Sequence, residues 1–233
     1  MNASVLLASA EGELHTGWLT GVLLEFARGG AEWILWILVI LSLASFVVFF
    51  ERLAFFQRSR TDTERIRRML MDKLTARDID SALASVKDDP SMQARVVAYG
   101  LRDAERGPAA VEDLCRGAVG VEKLRYERGL SVLATIGSNA PFIGLFGTVM
   151  GVIMAFDQLR GAGSEQTADQ SSAVMGAIAE ALIATGVGLL VAIPAIIFYN
   201  VLKSRLKKEV ASTALLVETM VAYLRNDDST RGA

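Results

Sequence analysis

An apolar run at residues 174–202 carries a single charged side chain, the carboxylate of Glu180. About 20 apolar residues are enough for an α-helix to cross a bilayer, so this run predicts a transmembrane helix. A carboxylate in hydrocarbon costs at least about 2.5 kcal/mol unless it meets a partner or water. We therefore expect Glu180 to face a partner or a water-filled path, and the rest of the chain to position this helix.

Two further apolar runs predict transmembrane helices at residues 31–51 and 129–156. Trp33 and Trp36 lie at one end of the first run, where interfacial aromatic residues are common, and Glu51 and Arg52 end it. The hydrophobic residues, 52% of the chain, are concentrated in these three runs rather than spread evenly. The pattern predicts an all-α membrane protein with three transmembrane helices.

The charges between the runs predict the topology. Residues 157–173 contain one basic residue, Arg160, whereas residues 52–128 and 203–233 are rich in arginine and lysine near the membrane. Basic segments stay in the cytoplasm, so we expect residues 157–173 in the periplasm, the N-terminus outside and the C-terminus inside. This topology explains the basic residues better than nucleic-acid binding does, because they follow directly after predicted membrane spans.

The cytoplasmic segment 52–128 reads as a series of helices. A capping box at Thr61 and Glu64 predicts a helix through Leu74, followed by helices at 77–86 and 91–106. Pro108 suits the first turn of the next helix. We expect that helix to continue unbroken from residue 109 to 156 and to pack through a narrow apolar stripe of Val111, Leu114, Ala118, Val121 and Leu124.

The third span is expected to continue as a helix through residues 203–233. Apolar residues recur every three or four positions there, so the long extensions of spans two and three should pack side by side. This cytoplasmic bundle is interpreted as a scaffold for the membrane part. The stripe consists of Leu202, Leu206, Val210, Thr213, Val217, Val221 and Leu224.

Several features indicate no catalytic chemistry. Residues 1–30 predict a periplasmic N-terminus with an amphipathic helix at 17–30, which either lies in the membrane interface or packs on a neighbouring subunit. His15 and Cys115 stand apart from any ligand spacing, and Gly161 to Gly163 do not form a phosphate loop. We therefore expect no enzyme activity, no catalytic residues, no cofactor and no metal site.

Spans two and three are rich in small residues that allow close helix packing. Gly147 and Gly151 have the spacing typical of backbone contact between membrane helices, and Gly144 extends the same pattern. Pro141 and Pro194 are expected to kink their helices.

The polar residues of these two spans predict a pathway. Thr148 and Thr185 fall at nearly the same depth, with Glu180 nearer the outer end of span three and Asn139 near the cytoplasmic end of span two. Either hydroxyl can instead bond its own helix backbone. Because Glu180 and Thr185 are about 140° apart around the helix, one is expected to face a pore and the other a subunit seam.

The stretches ATIGSNAPFIGLFGTVMG at 134–151 and IAEALIATGVGLLVAIPAIIFYN at 178–200 resemble spans two and three of the MotA/TolQ/ExbB proton-channel family. Three spans and a large cytoplasmic insertion are similar to its ExbB and TolQ members. The resemblance implies a homopentamer whose second and third spans line a pore, with Thr148, Glu180 and Thr185 at the polar positions. It implies two single-span ExbD- or TolR-like partners inside the pore, each with a membrane aspartate.

We therefore expect a bacterial inner-membrane stator subunit that uses the proton motive force to act through a TonB- or TolA-like periplasmic effector. Membrane lipids are expected as partners and nucleic acid is not. A structural scaffold without ion conduction is the main alternative. A secondary transporter is less favoured, because three spans are few and no inverted repeat is visible.

Overall fold

The computed structural model describes residues 32–161 and 168–231. Across these ranges the chain forms seven α-helices and one short 3-10 helix at Ala104–Arg106, with no β-strand. The helices are α1 (Glu32–Arg58), α2 (Thr63–Thr75), α3 (Ile79–Val86), α4 (Met92–Arg102), α5 (Pro108–Glu127), α6 (Leu130–Gly161) and α7 (Ala168–Arg231). The N-terminal segment predicted at 1–30, with its amphipathic helix and His15, lies outside the described residues.

Three of the described helices, α1, α6 and α7, contain stretches long and apolar enough to cross a membrane. This confirms the predicted all-α membrane fold with three spanning helices. The two helices extend into the predicted 157–173 connection from both ends, since α6 continues to Gly161 and α7 begins at Ala168. The centre of the predicted 157–173 connection lies outside the described residues.

The predicted continuous helix from 109 to 156 is wrong, because the chain breaks between α5 and α6. Arg128 takes an extended conformation with ψ 133°, and Gly129 follows with a positive φ of 77°. A positive φ is costly for residues with a Cβ, so glycine is the residue that allows this turn. A Cβ at Gly129 would also lie 3.2 Å from Cγ1 of Val48.

The chain divides into two compact units. Among the described residues, one unit, called here the membrane unit, comprises residues 32–44, 136–161 and 168–194; the other, the bundle unit, comprises residues 45–135 and 195–231. The membrane unit contains most of the three apolar runs, and the bundle unit contains α2 to α5 together with the ends of the long helices.

Short polar side chains start the small helices of the bundle unit. Asp78 begins α3 by accepting a hydrogen bond from Ser81 N at 3.0 Å, and Ser91 begins α4 by accepting one from Ala94 N at 3.2 Å. Hydrogen bonding from the side chain and then from the backbone of Ser81 holds the pKa of the Asp78 carboxyl below its ordinary value. Such N-caps satisfy backbone N–H groups that have no partner in the first turn.

The capping box predicted at Thr61 and Glu64 is wrong by one residue. Asp62 is the N-cap of α2, and its Oδ1 accepts from the backbone N of Glu64 at 3.0 Å and of Arg65 at 3.3 Å. The Glu64 carboxylate pairs instead with Arg67 on the next turn. Thr61 donates to Oδ2 of Asp89 at 3.0 Å and so ties the start of α2 to the loop before α4.

The packing face of α5 also differs from the predicted stripe. Val121 and Leu124 are 66% and 67% exposed within the chain. The buried face of α5 consists of Val111, Cys115, Ala118, Glu122 and Tyr126. This face shares Val111 and Ala118 with the predicted stripe. It also includes Glu122, whose carboxylate forms an ion pair with Arg95 of α4 at 2.7 Å. The ion pair thus allows Glu122 to be buried, although the apolar pattern had placed it on the exposed face of the helix.

The α7 extension packs much as its apolar repeat predicts. Leu202, Leu206, Thr213, Val217 and Val221 are buried, whereas Val210 and Leu224 are half-buried. The pattern missed two residues of this face, Leu216 and Met220, which are also buried. Together with residues of α2 to α5 they form one hydrophobic core.

Candidate functional site

The α6 and α7 helices of the membrane unit meet at their backbones. A Cβ added to Gly144 would lie 2.7 Å from the carbonyl oxygen of Ala184, and one added to Gly188 would lie 2.7 Å from the carbonyl oxygen of Ala140. These distances are shorter than any normal carbon–oxygen contact. The two helices can therefore approach this closely only because both positions are glycine.

The same strip continues along both helices with alanine opposite glycine. A Cβ at Gly147 would lie 2.6 Å from Cβ of Ala184, and one at Gly151 would lie 2.5 Å from Cβ of Ala181. We call this the small-residue strip; it contains Ala140, Gly144, Gly147 and Gly151 of α6 and Ala177, Ala181, Ala184 and Gly188 of α7. Small residues permit this approach where lipid gives no hydrophobic driving force between helices.

Thr185 links the two helices by a hydrogen bond. Its hydroxyl donates to the carbonyl oxygen of Gly144 at 3.1 Å, across the strip. Thr148 behaves differently, because its hydroxyl donates to Leu145 O on its own helix at 2.6 Å. Local bonding to the backbone, the simpler of the two interpretations made from sequence, therefore describes Thr148 but not Thr185.

The two hydroxyls lie at similar depth. The contacts of the strip are antiparallel: Gly144 meets Thr185 and Gly188, and Gly151 meets Ala181 and Ala177. Thr148 follows Gly147, whose partner Ala184 precedes Thr185. The two threonines are thus within about one helical turn, about 5 Å, along the pair.

The threonines also share a side of the pair. At about 100° per residue, Thr148 lies about 70° from the centre of the strip on α6, and Thr185 lies about 70° from its centre on α7. Because the helices are antiparallel, both rotations lead to the same side. Exposed apolar residues surround the two threonines there, among them Leu145 at 54% and Leu182 at 66%. We call this side the hydroxyl face.

The α1 helix packs on the opposite side. Ile34 approaches the Cβ position of Gly147 to 3.6 Å, and Trp33 meets the ring of Phe146 edge-on with centroids 6.2 Å apart. Phe146 and this edge of Gly147 point away from Thr148 around α6. Within the membrane unit, the hydroxyl face is thus the side that α1 leaves uncovered.

Glu180 lies on the α1 side rather than on the hydroxyl face. It is about 70° from the strip on α7, in the direction opposite to Thr185. The residue is half-buried, and its Oε1 is fully buried without a hydrogen-bond partner among the described residues. The structure therefore separates the acid from the two hydroxyls, in line with the sequence argument that only one of Glu180 and Thr185 can face a common axis.

The remaining predicted residues are spread along the helices. Asn139 is exposed and donates to Ser138 Oγ at 3.2 Å, and it lies about 110° from the strip on the α1 side, away from Thr148. Pro141 and Pro194 sit inside continuous helices. The predicted kinks at these prolines remain predictions.

Sequence reasoning missed two parts of the site. The acceptor of the Thr185 hydroxyl is a backbone carbonyl, which no side-chain motif signals. The position of α1 over Gly147 was also missed, because a helix that is apolar on every side has no pattern to mark its contact face. The spacing of small residues was the one signal that pointed to the strip.

A family model for the MotA/TolQ/ExbB proton channel family matches residues 88–214, more than half of the chain. The chain belongs to this family. The match covers α5, the α5–α6 break, the small-residue strip and both threonines, as well as Glu180. Membrane localisation and an ExbB/TolQ-type subunit follow from this membership together with the three apolar helices.

Alignments with individual proteins named ExbB or TolQ agree with this family membership. The Neisseria gonorrhoeae biopolymer transport protein ExbB is 33% identical over 156 residues, which are 62% of this chain and 69% of the relative. The Tol-Pal system protein TolQ of Pseudomonas aeruginosa is 47% identical over 90 residues, 39% of this chain and 37% of the relative. A Helicobacter pylori protein named ExbB-like 2 is 52% identical over 80 residues, 34% of this chain, and the alignment spans about half of its length, 51%.

Proposed function

We propose that this protein is the channel-forming stator subunit of an ExbB–ExbD- or TolQ–TolR-type motor in the bacterial inner membrane. In this proposal, five copies surround a pore, and protons driven by the proton motive force pass into the cytoplasm. The N-terminus lies in the periplasm and the C-terminus in the cytoplasm, in accord with the basic residues that follow spans one and three. The protein itself catalyses no covalent chemistry.

The observation that supports this proposal most is the hydroxyl face. Two threonines of two helices lie at one depth, on the side that α1 leaves open within the membrane unit. A ring of copies that directs this face toward a common axis places polar hydroxyls around a pore and α1 toward lipid. Exposed polar groups in the membrane are expected to face protein or water rather than lipid.

The threonines donate their hydroxyl protons to carbonyl oxygens, so the oxygen lone pairs of both side chains remain free to accept. A hydroxyl oriented in this way can accept a hydrogen bond from water or from a protonated acid. Neither hydroxyl titrates near neutral pH, so the proton carrier comes from elsewhere. Two single-span ExbD- or TolR-like partners, each with a membrane aspartate inside the pore, would supply it.

Glu180 has a different role in the proposal. Its buried carboxyl lies on the α1 side, where a neighbouring copy or a partner can provide the hydrogen-bond donor that the chain lacks among its described residues. We propose that it fixes a subunit contact or tunes the field along the path. The work done by the motor reaches the envelope through a TonB- or TolA-like periplasm-spanning effector.

Proton flux into vesicles that contain the complete motor tests this proposal. Thr148→Val and Thr185→Val keep side-chain shape but remove the hydroxyls, and each is expected to lower flux at least tenfold. Thr148→Ser and Thr185→Ser keep the hydroxyl and should retain most of the flux. Thr135→Val is a matched control, because Thr135 also bonds its own helix, at Ser131 O, but belongs to the bundle unit and not to the hydroxyl face.

Glu180→Ala is expected to abolish work driven by the proton motive force while the assembly still elutes at its normal size. If all of these variants retain full flux and full activity, the pathway is wrong. If the wild-type assembly conducts no protons and ignores uncouplers, it is a structural scaffold instead.

A further inference from the structure

A basic cleft lies within the bundle unit where α1 ends beside α7. Its lining consists of Phe56, Arg60, Arg205, Lys208 and Glu209, and it encloses about 230 Å³. Three cations and one carboxylate give it an excess of positive charge. Phe56 is buried and forms an apolar part of the wall.

The charges of this cleft are unequally engaged. Glu209 accepts a hydrogen bond at 2.6 Å from Nε2 of Gln93, a buried residue, so its carboxylate is held from outside the cleft. Arg60, Arg205 and Lys208 take part in no ion pair with any residue that the structure describes. The cleft thus presents three cations without ion pairs, and the single Glu209 carboxylate offsets only part of their charge.

Two neighbouring cations at the same end of the apolar runs have partners within the chain. Arg52 pairs with Glu51 at 2.6 Å, and its side chain is only 14% exposed. The ammonium of Lys203 lies 5.1 Å from the centroid of the Tyr199 ring. The cations of the cleft have no ion-pair partner among the described residues and are grouped around one cavity.

The depth of the cleft favours a lipid. The rings of Phe49 and Phe198 stack with centroids 4.0 Å apart, which sets the two helices level near the ends of their apolar runs. Arg205 and Lys208 follow the last apolar residue of their run, Leu202, by about 5 and 9 Å. The headgroup layer is about 5–8 Å thick on each side of the hydrocarbon, and long basic side chains reach further.

We propose that this cleft binds the phosphate of an anionic phospholipid headgroup, such as that of phosphatidylglycerol. The arginines provide forked donors that match phosphate oxygens, and Lys208 adds a compact positive charge. Basic pockets between membrane helices are known to hold anionic headgroups. The site is separate from the hydroxyl face and does not depend on proton conduction.

Lipid binding to the purified full-length assembly tests the site. The measurement is native mass spectrometry during titration with phosphatidylglycerol, with phosphatidylcholine as the zwitterionic comparison. Each cation near a membrane surface contributes roughly a fivefold change in affinity. Arg205→Gln combined with Lys208→Gln should therefore weaken phosphatidylglycerol binding about 30-fold and leave phosphatidylcholine unchanged.

Lys207→Gln is the matched control, since Lys207 is an exposed cation beside Lys208 that does not line the cleft. It should change binding less than about threefold. Arg205→Lys combined with Lys208→Arg retains both charges and should retain binding, which separates a lost site from a misfolded helix.

Three results would overturn the proposal. Equal losses in the control and the double variant would indicate diffuse surface charge rather than a site. Equal retention of phosphatidylcholine and phosphatidylglycerol would remove the role of the headgroup charge. Displacement of phosphatidylglycerol by millimolar inorganic phosphate would identify a site for free phosphate instead of lipid.

Discussion

The membrane unit and the bundle unit are both built from helices, but the helices are held together by different kinds of residue. In the membrane unit the α6–α7 contact is formed by glycine and alanine, with backbone atoms close enough to exclude a Cβ. In the bundle unit the core contains large side chains such as Leu70, Met92, Tyr126 and Met220, all at most 1% exposed.

The solvent explains this difference. In water, burying a large apolar side chain contributes about 1.5–3 kcal/mol, so a soluble bundle gains from size. Lipid is as apolar as leucine, so membrane helices gain instead from close packing and from hydrogen bonds between helices. The bond from Thr185 to Gly144 O is such a hydrogen bond between helices.

Charge and capping follow the same division. The bundle unit begins its short helices with Asp62, Asp78 and Ser91 and buries the Glu122 carboxylate against two arginines. The one carboxylate of the predicted third span, Glu180, has instead a buried oxygen without a donor among the described residues. Both units contain buried polar atoms without a hydrogen-bond partner among the described residues: Arg52 Nε, Gln93 Oε1 and the Tyr126 hydroxyl in the bundle unit, and Glu180 Oε1 in the membrane unit.

The largest effect is expected from enlarging the small-residue strip. Gly144→Leu would place side-chain atoms where Ala184 O and Gly188 Cα already lie at 2.7 and 3.1 Å from the Cβ position. Backbone atoms cannot move aside as a flexible side chain can, so we expect loss of the folded assembly on size-exclusion chromatography. The overpacking cost is about 3 kcal/mol or more.

Gly186→Ala is the control for this prediction, because nothing lies within 4 Å of its Cβ position in the described chain. It should leave the elution profile unchanged. A normal profile for Gly144→Leu would show that the strip is not a tight contact.

A smaller effect is expected from the buried carboxylate of the bundle unit. Glu122, with a side chain only 3% exposed, forms an ion pair with Arg95 at 2.7 Å and accepts a hydrogen bond from Arg125 at 3.2 Å. Replacing both arginines by alanine leaves a buried charge without donors and should lower the free energy of unfolding by about 2 kcal/mol. Chemical denaturation in detergent measures this.

The matched comparison is Arg116→Ala, which breaks two ion pairs on the exposed side of α5, with Glu112 and Asp113. Exposed pairs contribute less than about 1 kcal/mol, so the denaturation midpoint should hardly move. Equal losses at the two sites would contradict the argument that burial makes the Glu122 cluster different.

A still smaller effect separates the observed N-cap from the predicted one. Asp62→Ala removes the acceptor for two backbone N–H groups of α2 and should destabilise the bundle unit by about 1 kcal/mol. Thr61→Ala removes only the bond to Asp89 and should cost about half as much. The reverse order in a thermal denaturation series would restore the capping box that the sequence predicted.

The smallest change in stability near neutral pH is expected at Cys115. Burial raises the pKa of its thiol to about 11 from the ordinary value of 9.0. The neutral thiol is thus favoured in the folded protein, and its contribution is complete below pH 9.0 and lost as the pH rises toward 11. At pH 8 the native thiol should react with iodoacetamide about 100-fold more slowly than the unfolded one.

The control for this measurement is Gly117→Cys in a Cys115→Ala background, because the Cβ position of Gly117 has no neighbour within 4 Å. Its thiol should react at nearly the unfolded rate. Fast labelling of native Cys115 would show that the contact between α4 and α5 opens in solution.

The residue pattern alone was enough for the three spanning helices, because a run of apolar residues has few alternatives to a membrane helix. It was also enough for the long α7 extension, where apolar spacing agrees with burial at Leu202, Leu206 and Val217. It failed at Gly129, since a glycine inside a helical pattern gives no sign of whether its φ will be positive.

It failed again at Val121 and Leu124, because an apolar stripe shows that a face will be covered but not by which chain. For the candidate site, the sequence supplied the threonines, the acid and the small residues. It left open which of Glu180 and Thr185 would face the common side.

By itself, then, the sequence determined composition along each helix: where the chain can enter lipid, where it is charged, and where its backbone can be approached. Only the tertiary structure decided orientation. The antiparallel contact of Gly144 with Gly188 turned both hydroxyls to one side and Glu180 to the other. The physical reason is that helical periodicity fixes angles around one axis, whereas a shared face exists only after two axes have been placed in contact.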